Sequence, residues 1–577
     1  MGHSTLPPGA IPSAVEGTWA SRGLTIEERN CMRALECITR QEDWDDQDWS
    51  LEVPDCVERL CFDMPIGSAI DDILVALSRM AEEKKALGHY PLFDAELCVL
   101  VADRPLPGTI DEALRDFAGR HRSRSWKDWD VAKIRVDDEF TPYEIWWGEH
   151  VFLDPMMHSL NPLYTKSLAS GQVDFDRPWD SIGKGKLNSM LDQRLPCEVR
   201  ILDGHARVTS YVNGLHPFEG DMHDTFETIL NAALPLWERC IDSTSFNKRV
   251  LRLDKDDEDK FIYEPAYPPP GIELGTERLQ RWETNLRGPD SQLQVIIQAE
   301  TFDSTDGLGP AASPKTDSRG PWRPAGLPHE HVCAVAIYCF DTDSYEEVSL
   351  QLRHPLDQDY LDSIPETYGR DAPHVKRLCT TLNNNLQSKY NPLQDESFAD
   401  DYEGTTDASL IGTVTLCQGR MVVFPACLFY RLHVGFSARC SLLTMFLVDP
   451  SRPIWSSASV PPQSMQWLLP PIRELPWFAR LPEEVWLLIR QHLHSAWDEV
   501  DRDQARRDRN RMKNNYDRLS DAMVRDCEQV SWELSSGLTE IGVHRKLMDG
   551  FYSDSTSFLA KGMISMAKKQ CLTDPMP

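Results

Sequence analysis

The sequence lacks the short motifs that mark the common enzyme chemistries. It contains no G-x-S-x-G nucleophile elbow, no G-x-G-x-x-G dinucleotide fingerprint and no G-x-x-x-x-G-K-[ST] phosphate loop. Its cysteines include no C-x-x-C pair, and none comes with a recognisable His/Asn arrangement. We therefore expect neither nucleophile chemistry of these kinds, nor nucleotide phosphate binding in the familiar modes, nor a cysteine-based zinc site or disulfide framework.

Basic residues are scarce relative to acidic ones. The chain has 60 Lys and Arg against 91 Asp and Glu, which gives a net charge of −31. A surface this negative repels phosphate backbones and anionic lipids, so we expect neither nucleic acid nor a membrane as partner. No apolar run approaches the ~20 residues of a spanning helix, and the N-terminus shows no signal-peptide pattern. These features favour a soluble protein of the cytoplasm or the nucleus.

The sequence pattern divides the chain into four segments. Residues 1–24 are rich in Pro, Gly and Ser and predict a disordered terminus. Amphipathic patterns over residues 25–190 predict a mainly helical layer, and strand patterns with two long loops place the core at 191–465. Helical patterns return over residues 466–577. The fold class predicted from this division is α+β, with helices before and after a β core.

Helices are predicted from apolar spacing and from end signals. The strongest patterns cover residues 25–40, 71–87, 109–117 and 221–241. Near the C-terminus, Pro482 followed by two acids predicts a helix start, and we expect its apolar face to pack. That face comprises Val485, Leu488, Ile489 and Leu493. From Trp497 to Arg518, charges of opposite sign recur four residues apart, which predicts an exposed or bundle-edge helix with a local basic patch.

Strand patterns cover the middle of the chain. Asp203-Gly204 stands between two alternating segments and predicts a type I′ hairpin. Further strands are predicted at residues 293–300, 332–340, 411–417, 421–424 and 442–448. A long polar loop is expected over 303–319, and a second, acidic one over 341–412. Two turn-and-strand runs, around Trp322–Gly326 and Tyr430–His433, are typical of the walls of a small-molecule pocket.

An ordered set of motifs resembles a fungal family, the domain of unknown function 4246. The motifs are Leu195-Pro-Cys-Glu-Val, Ser210-Tyr-Val-Asn-Gly-Leu-His-Pro217, Leu293-Gln-Val-Ile-Ile297, Trp322 through Tyr338, Gly419-Arg-x-x-x-Phe-Pro425, Phe446-Leu-Val-Asp-Pro450 and Ser457-Ala-Ser-Val-Pro-Pro-Gln463. The resemblance extends from about residue 25 to about residue 525. Typical members look like iron(II)/2-oxoglutarate oxygenases. The resemblance therefore implies a central double-stranded β-helix, or jelly-roll, core.

The resemblance also implies a metal site, from which this chain departs at each ligand. In the family, a Trp-His-x-Glu-Gly run and a downstream His supply two histidines and one carboxylate. The matching positions here hold Arg323, Ala325 and Tyr430. An arginine cannot lose its proton to bind a metal, an alanine has no donor atom, and a tyrosine binds only as phenolate. The family's arginine for the distal carboxylate of 2-oxoglutarate falls at Cys440, one residue after Arg439.

The leading hypothesis is a pseudoenzyme, an oxygenase-like protein without catalysis that binds a small anion or another protein. Its candidate binding residues are Arg323, Tyr430 and Arg439, and it needs no cofactor. Its partner is an unidentified small molecule or protein.

Two other hypotheses stay open. The first is an active non-haem iron oxygenase that uses 2-oxoglutarate, with ligands rebuilt from His329, His331 and His433. On a strand, His329 and His331 would face the same side. Glu330 fits the ordinary run of the family, and we expect it to serve the structure. The second is a structural interaction protein that acts through its charged C-terminal helix.

Overall fold

The structure is a computed structural model of the chain, and its described part combines helices with antiparallel sheets. Described are residues 26–41, 43–46, 66–92, 99–128, 149–156, 193–215, 219–246, 250–253, 261–264, 285–288, 291–303, 322–343, 348–353, 410–434, 438–460, 475–496 and 507–518, with a few single positions between them. The predicted α+β class is confirmed at this level. Residues 1–24, whose disorder was predicted, lie outside the described residues.

The strands of the described residues form three antiparallel sheets. In chain order they are β1 (Tyr90–Pro91), β2 (Leu100–Asp103), β3 (Glu149–Leu153), β4 (Cys197–Leu202), β5 (His205–Val208), β6 (Val250–Leu253), β7 (Phe261–Glu264), β8 (Gln292–Asp303), β9 (Arg323–Pro324), β10 (Val332–Thr342), β11 (Val348–Arg353), β12 (Leu410–Thr415), β13 (Arg420–Pro425), β14 (Phe429–Val434) and β15 (Arg439–Val448). The large sheet has the order β1-β2-β13-β10-β15-β8-β4-β5, with β3 also paired to β8. The small sheet has the order β12-β11-β14-β9, and β6 pairs with β7.

The described residues also form six helices. They are α1 (Ile26–Thr39), α2 (Ile66–Leu87), α3 (Gly108–Asp128), α4 (Asp221–Phe246), α5 (Glu483–Ala496) and α6 (507–518). Single helical turns occur at Trp44–Asp46, Pro328–Glu330 and Pro476–Ala479. Side chains of α3 and α4 pack on one face of the large sheet. The small sheet, α1 and α2 share a core with the other face.

Strand β10 is apolar at nearly every position because both of its faces are buried. Ala336 and Tyr338 belong to the core on the helix side, whereas Val335 and Ile337 belong to the core shared with the small sheet. A strand that is buried on both faces carries apolar residues at every position rather than at alternate ones. The two cores therefore meet at this strand, which lies near the middle of the large sheet.

Several local predictions are confirmed. Helices begin and end within a few residues of the predicted bounds at α1 and α4, while α2 and α3 are longer than predicted. The Asp203-Gly204 hairpin joins β4 to β5. Both turn residues have positive φ, 51° and 79°, as a type I′ turn requires.

The prediction of a loop over residues 341–412 is wrong in one part, because this stretch contains a strand. Strand β11 lies within it and pairs with both β12 and β14, so it is central to the small sheet. Its buried residues Val348, Leu350 and Leu352 alternate with partly exposed ones, which is a strand period of two. The predicted helical layer of residues 25–190 also supplies β1, β2 and β3 to the large sheet.

On α5 the predicted apolar face is largely exposed, whereas α6 buries one face. On α5, Val485 and Leu488 are exposed, and the buried residue is Trp486. On α6, for which the pattern predicts an exposed or bundle-edge helix, Asp508, Met512 and Tyr516 are buried, which fits the bundle-edge alternative. These three residues are four apart and so lie on one face of the helix. Of the helices in the described part of the chain, none has the length and apolar composition that crossing a bilayer requires.

Candidate functional site

Arg323 and Tyr430 face each other across two strands of the small sheet. They are direct antiparallel partners, Arg323 on the edge strand β9 and Tyr430 on β14. Tyr430 shares a strand face with Leu432, because residues two apart point the same way, and Leu432 belongs to the core between the sheets. Both partners are partly exposed. The pair therefore lies on the inner face of the small sheet, at an edge that solutes can reach.

Aromatic side chains of the large sheet lie opposite this pair. Phe424 and Phe446 are the partners of Val335 on its two sides, so the three form a row across the sheet. The ring of Tyr430 is 5.6 Å from that of Phe424, centroid to centroid. Ala325 is fully buried in the same core. The positions that the resemblance assigns to metal ligands therefore converge between the two sheets.

A buried ion pair fixes the loop that leads from β9 to β10. The Glu330 carboxylate accepts hydrogen bonds from Arg194 Nε (3.0 Å), Arg194 Nη2 (2.8 Å) and the backbone N–H groups of Arg194 (2.8 Å) and Leu327 (2.9 Å). Arg194 Nη2 also donates to the carbonyl oxygen of Ala325 at 2.7 Å. The side chains of Arg194 and Glu330 are only 3% and 1% exposed. Such a charge pair holds its position because each partner satisfies the other.

Both members of this pair stay charged. Burial raises the pKa of Glu330, but the charge and hydrogen bonds of Arg194 lower it by more, so this pKa lies below its ordinary value. Burial lowers the pKa of Arg194, and the charge of Glu330 more than offsets this, so that pKa is raised. The pair contributes no net charge to the site.

Gly326 is required by the closeness of this packing. A Cβ atom at residue 326 would lie 2.7 Å from Val332 Cγ2 and 3.1 Å from Arg194 Nη2. Real Cβ contacts are rarely as short as the first of these distances, and the β-branched Val332 has little freedom to move. The glycine of the Trp-x-x-x-Gly run therefore serves packing against the ion pair.

Helix α6 reaches the site through Tyr516. The Tyr516 hydroxyl donates a hydrogen bond to the carbonyl oxygen of Pro324, the neighbour of Arg323 on β9. The Arg194 guanidinium lies 5.6 Å from the ring centroid of Tyr516 and 4.1 Å from that of Phe446. Both distances are within the range of cation–π attraction. Helix α6 thus contacts the strand of Arg323 and the buried ion pair.

The phenol of Tyr516 stays protonated and can donate. Burial is the main effect, and it raises the pKa of Tyr516. The positive charges of Arg194 and Arg323 lower this pKa, whereas Tyr430 and Glu330 raise it. The net direction is upward. Arg194, Tyr430, Glu330 and Arg323 are all close enough to Tyr516 to shift its pKa. The residues of the site are therefore coupled electrostatically.

Arg439 does not join Arg323 and Tyr430. It begins β15, and its Nη2 donates to Asp341 at 3.1 Å. Seven residues separate it from Phe446, which corresponds to roughly 23 Å along a strand and to the opposite face. The structure therefore brings together two of the three predicted anion-binding residues. Cys440, at the position where the resemblance implies an arginine, is buried with its Sγ 3.8 Å from that of Cys339.

The three histidines of the iron hypothesis are not arranged as that hypothesis expects. His329 lies in a single helical turn, and His331 follows it with a φ of 48°, so neither lies on a strand. His433 is three residues from Tyr430 on β14, an odd number, and so faces the other side of the small sheet. Among the described residues, which include all three, no group of three His, Cys, Asp or Glu could hold a metal ion.

The side chains at the positions that the resemblance assigns to metal ligands do not fit an iron(II) ion. The guanidinium of Arg323 stands next to Tyr430, and its permanent positive charge repels a cation. Ala325 presents no donor atom in the core between the sheets.

Family motifs far apart in the sequence meet in a buried hydrogen-bond network beside β4. Glu198 Oε1 accepts from Gln294 Nε2 at 2.9 Å and also from the hydroxyl of Ser456. The side-chain amide of Gln294 donates to the carbonyl oxygen of Ile454 at 2.9 Å and accepts from the backbone N–H of Ile454 at 2.8 Å. These contacts attach the segment after β15 to the large sheet. They give the Pro-Cys-Glu-Val and Leu-Gln-Val-Ile-Ile motifs a structural role.

Arg194 and Tyr516 were not singled out in the sequence. Arg194 lies in an irregular stretch before β4, where no periodic pattern marks it. Tyr516 has a weak signal, because Met512 and Tyr516 form an apolar pair four residues apart in an otherwise charged helix. That spacing indicates a face that packs.

The family of the chain is shown by comparison with known sequences. A sequence profile described as protein of unknown function (DUF4246) matches residues 68–470. This match covers more than half of the chain and includes all the strands described above, but it ends before α6. A search of curated proteins finds no significant match. The chain belongs to the DUF4246 family of proteins of unknown function.

Proposed function

We propose that the protein is a non-catalytic relative of the iron/2-oxoglutarate oxygenases that binds a small carboxylate between its two sheets. In this proposal the facing sheets are a jelly-roll core. The observation that carries it is the pairing of Arg323 with Tyr430 on the inner face, where the resemblance places metal ligands. A guanidinium that takes the place of a metal ion supplies positive charge without needing a cofactor.

Charge around the site supports an anionic ligand. Of the groups that act on the pKa of Tyr516, Arg194 and Arg323 are cations and Glu330 is an anion. Among these groups, two positive charges lie beside one negative charge. Partial burial strengthens the attraction between such a charge and an anion, because the effective dielectric constant is lower than in water.

Recognition of a carboxylate follows from the side chains at the site. The planar fork of an arginine donates two parallel hydrogen bonds to a carboxylate. Tyr430 is the cross-strand partner of Arg323, and its hydroxyl can donate a further one. Phe424 and Phe446 offer apolar contact for a short carbon chain. Protein located in the cytoplasm or nucleus would meet abundant small organic acids of this class.

The charged C-terminal helix gives less support to a purely structural interaction protein. On α6, Arg509 Nε binds Asp154 at 2.7 Å, and Arg511 Nη1 binds Asp508 at 2.8 Å. These basic side chains are engaged within the chain itself. The iron oxygenase hypothesis is kept as the alternative that metal titration tests.

The test uses 2-oxoglutarate as the probe, in EDTA, with isothermal titration calorimetry on the full chain. We expect binding near one equivalent, weakened about tenfold or more by Arg323→Gln because a charge-assisted hydrogen bond is lost. Arg439→Gln is the matched control, since it removes the same charge outside the site and should leave Kd unchanged. Absence of binding by the wild-type chain, or equal affinity in the Arg323 variant, would refute the proposal.

A further inference from the structure

We infer that helix α6 completes the anion site through Tyr516, so that docking of this helix and occupation of the site stabilise each other. The inference rests on the proposed anion binding and adds a residue outside the family match, which ends at residue 470. It assigns to Tyr516 a positioning role for Arg194 and for the strand that carries Arg323.

Three contacts hold α6 against the site. Tyr516 donates to the carbonyl of Pro324, and its ring lies near the Arg194 guanidinium. Arg509 Nε binds Asp154 at 2.7 Å, with both side chains about 15% exposed. Met512 is buried between these two contacts along the helix. The helix is thus attached at both ends of one face.

The contact with Pro324 couples the helix directly to Arg323. Strand β9 consists of only Arg323 and Pro324, and it pairs on one side with β14. Tyr516 therefore supplies a second attachment for a two-residue edge strand. When α6 is docked, the backbone of β9 is therefore held by β14 and by Tyr516. Undocking removes that second support and opens the buried ion pair to water.

Thermodynamic linkage makes this coupling reciprocal. If only the docked form binds the anion, the apparent Kd rises in inverse proportion to the docked fraction. A change that reduces docking to about one tenth therefore weakens binding about tenfold. The bound anion must in turn slow the exchange of the α6 backbone amides, by the factor 1 + [L]/Kd.

The experiment combines hydrogen exchange of residues 507–518 with 2-oxoglutarate binding in EDTA, on the full chain. Arg509→Ala weakens docking from the far end of the helix without touching the site. Tyr516→Phe removes only the hydrogen bond to Pro324. Asn514→Ala is the control, because Asn514 is exposed on the same helix.

We expect Arg509→Ala and Tyr516→Phe each to speed exchange of α6 and to raise Kd in parallel, by about tenfold for the first. We expect Asn514→Ala to change neither, and saturating 2-oxoglutarate to slow exchange of α6 in the wild-type chain. If the wild-type chain binds 2-oxoglutarate but Arg509→Ala speeds exchange without changing Kd, the inference is overturned and the proposed function stands. If the wild-type chain binds no 2-oxoglutarate, both are overturned.

Discussion

The carboxylate of Glu330 accepts two hydrogen bonds from the guanidinium of Arg194, and the pair is almost completely buried. This pair holds the loop between β9 and β10 and thereby sets the position of Arg323. Removing one member of a buried ion pair leaves an uncompensated charge in a medium of low polarity. We therefore expect disruption of this pair to lower the free energy of unfolding more than any other change at the site.

Glu330→Gln should lower the free energy of unfolding by about 3–5 kcal/mol, because it leaves the Arg194 guanidinium buried without a counter-charge. Urea-induced unfolding of the full chain measures this. The double variant Arg194→Met with Glu330→Gln should recover about half of the loss, since no buried charge remains unpaired. A cost below about 1 kcal/mol for Glu330→Gln would contradict the importance given to the ion pair.

Gly326→Ala should destabilise the protein by about 1–3 kcal/mol, because its Cβ has no room beside Val332. The control is Gly119→Ala on α3, where an added Cβ meets nothing within 4 Å. That control should be neutral or stabilising by up to about 1 kcal/mol, since alanine favours helices. Combining Gly326→Ala with Val332→Ala should recover part of the cost. Equal stabilities of the two glycine variants would show that the close approach does not matter.

Two buried histidines predict how stability depends on pH. Burial lowers the pKa of His89 and of His158 to about 4. At His158, the Gln193 backbone and the charges of Asp154, Asp508 and Glu330 oppose burial without cancelling it. In the unfolded chain a histidine has a pKa near 6.5. As the pH falls from about 6.5 to about 4, the unfolded chain binds protons that the folded chain does not, so stability falls.

His158→Leu should therefore flatten the decline of the unfolding free energy across this window, by roughly 3 kcal/mol at its lower end. Unfolding in urea at several pH values between 6.5 and 4.5 measures the slope. His89→Leu should have a separate effect in the same direction. The lowered pKa of Glu330 acts at still lower pH, where its contribution is lost as the carboxylate protonates. Unchanged slopes in both histidine variants would contradict the prediction.

Local signals predicted much of the fold. The apolar spacing of α1 and α4 and the Asp-Gly turn after β4 are set by residues close together in sequence. Strand β10 was recognised because burial on both faces makes a long apolar run. Strand β11 was missed, since its short alternating pattern stands between polar stretches. A six-residue strand in such surroundings gives a weaker signal than a helix.

The site was harder to predict, because its contacts join distant parts of the chain. Arg194 and Glu330 are 136 residues apart, and Tyr516 lies 192 residues from Pro324. No periodic pattern reports such pairs. Arg323 and Tyr430 were found only through positions implied by the family resemblance. Arg439 was included by the same reasoning, but its place on β15 puts it on the other face and far from the pair.

The central claim is that Arg323 replaces a metal ion as the source of positive charge, and an anaerobic titration with 2-oxoglutarate tests it most directly. The full chain is titrated once in EDTA and once with an equivalent of Fe(II), and bound iron is measured in both. We expect about one equivalent of 2-oxoglutarate to bind with the same Kd in both titrations. Binding that occurs only with Fe(II), at about one equivalent of each, would contradict the claim.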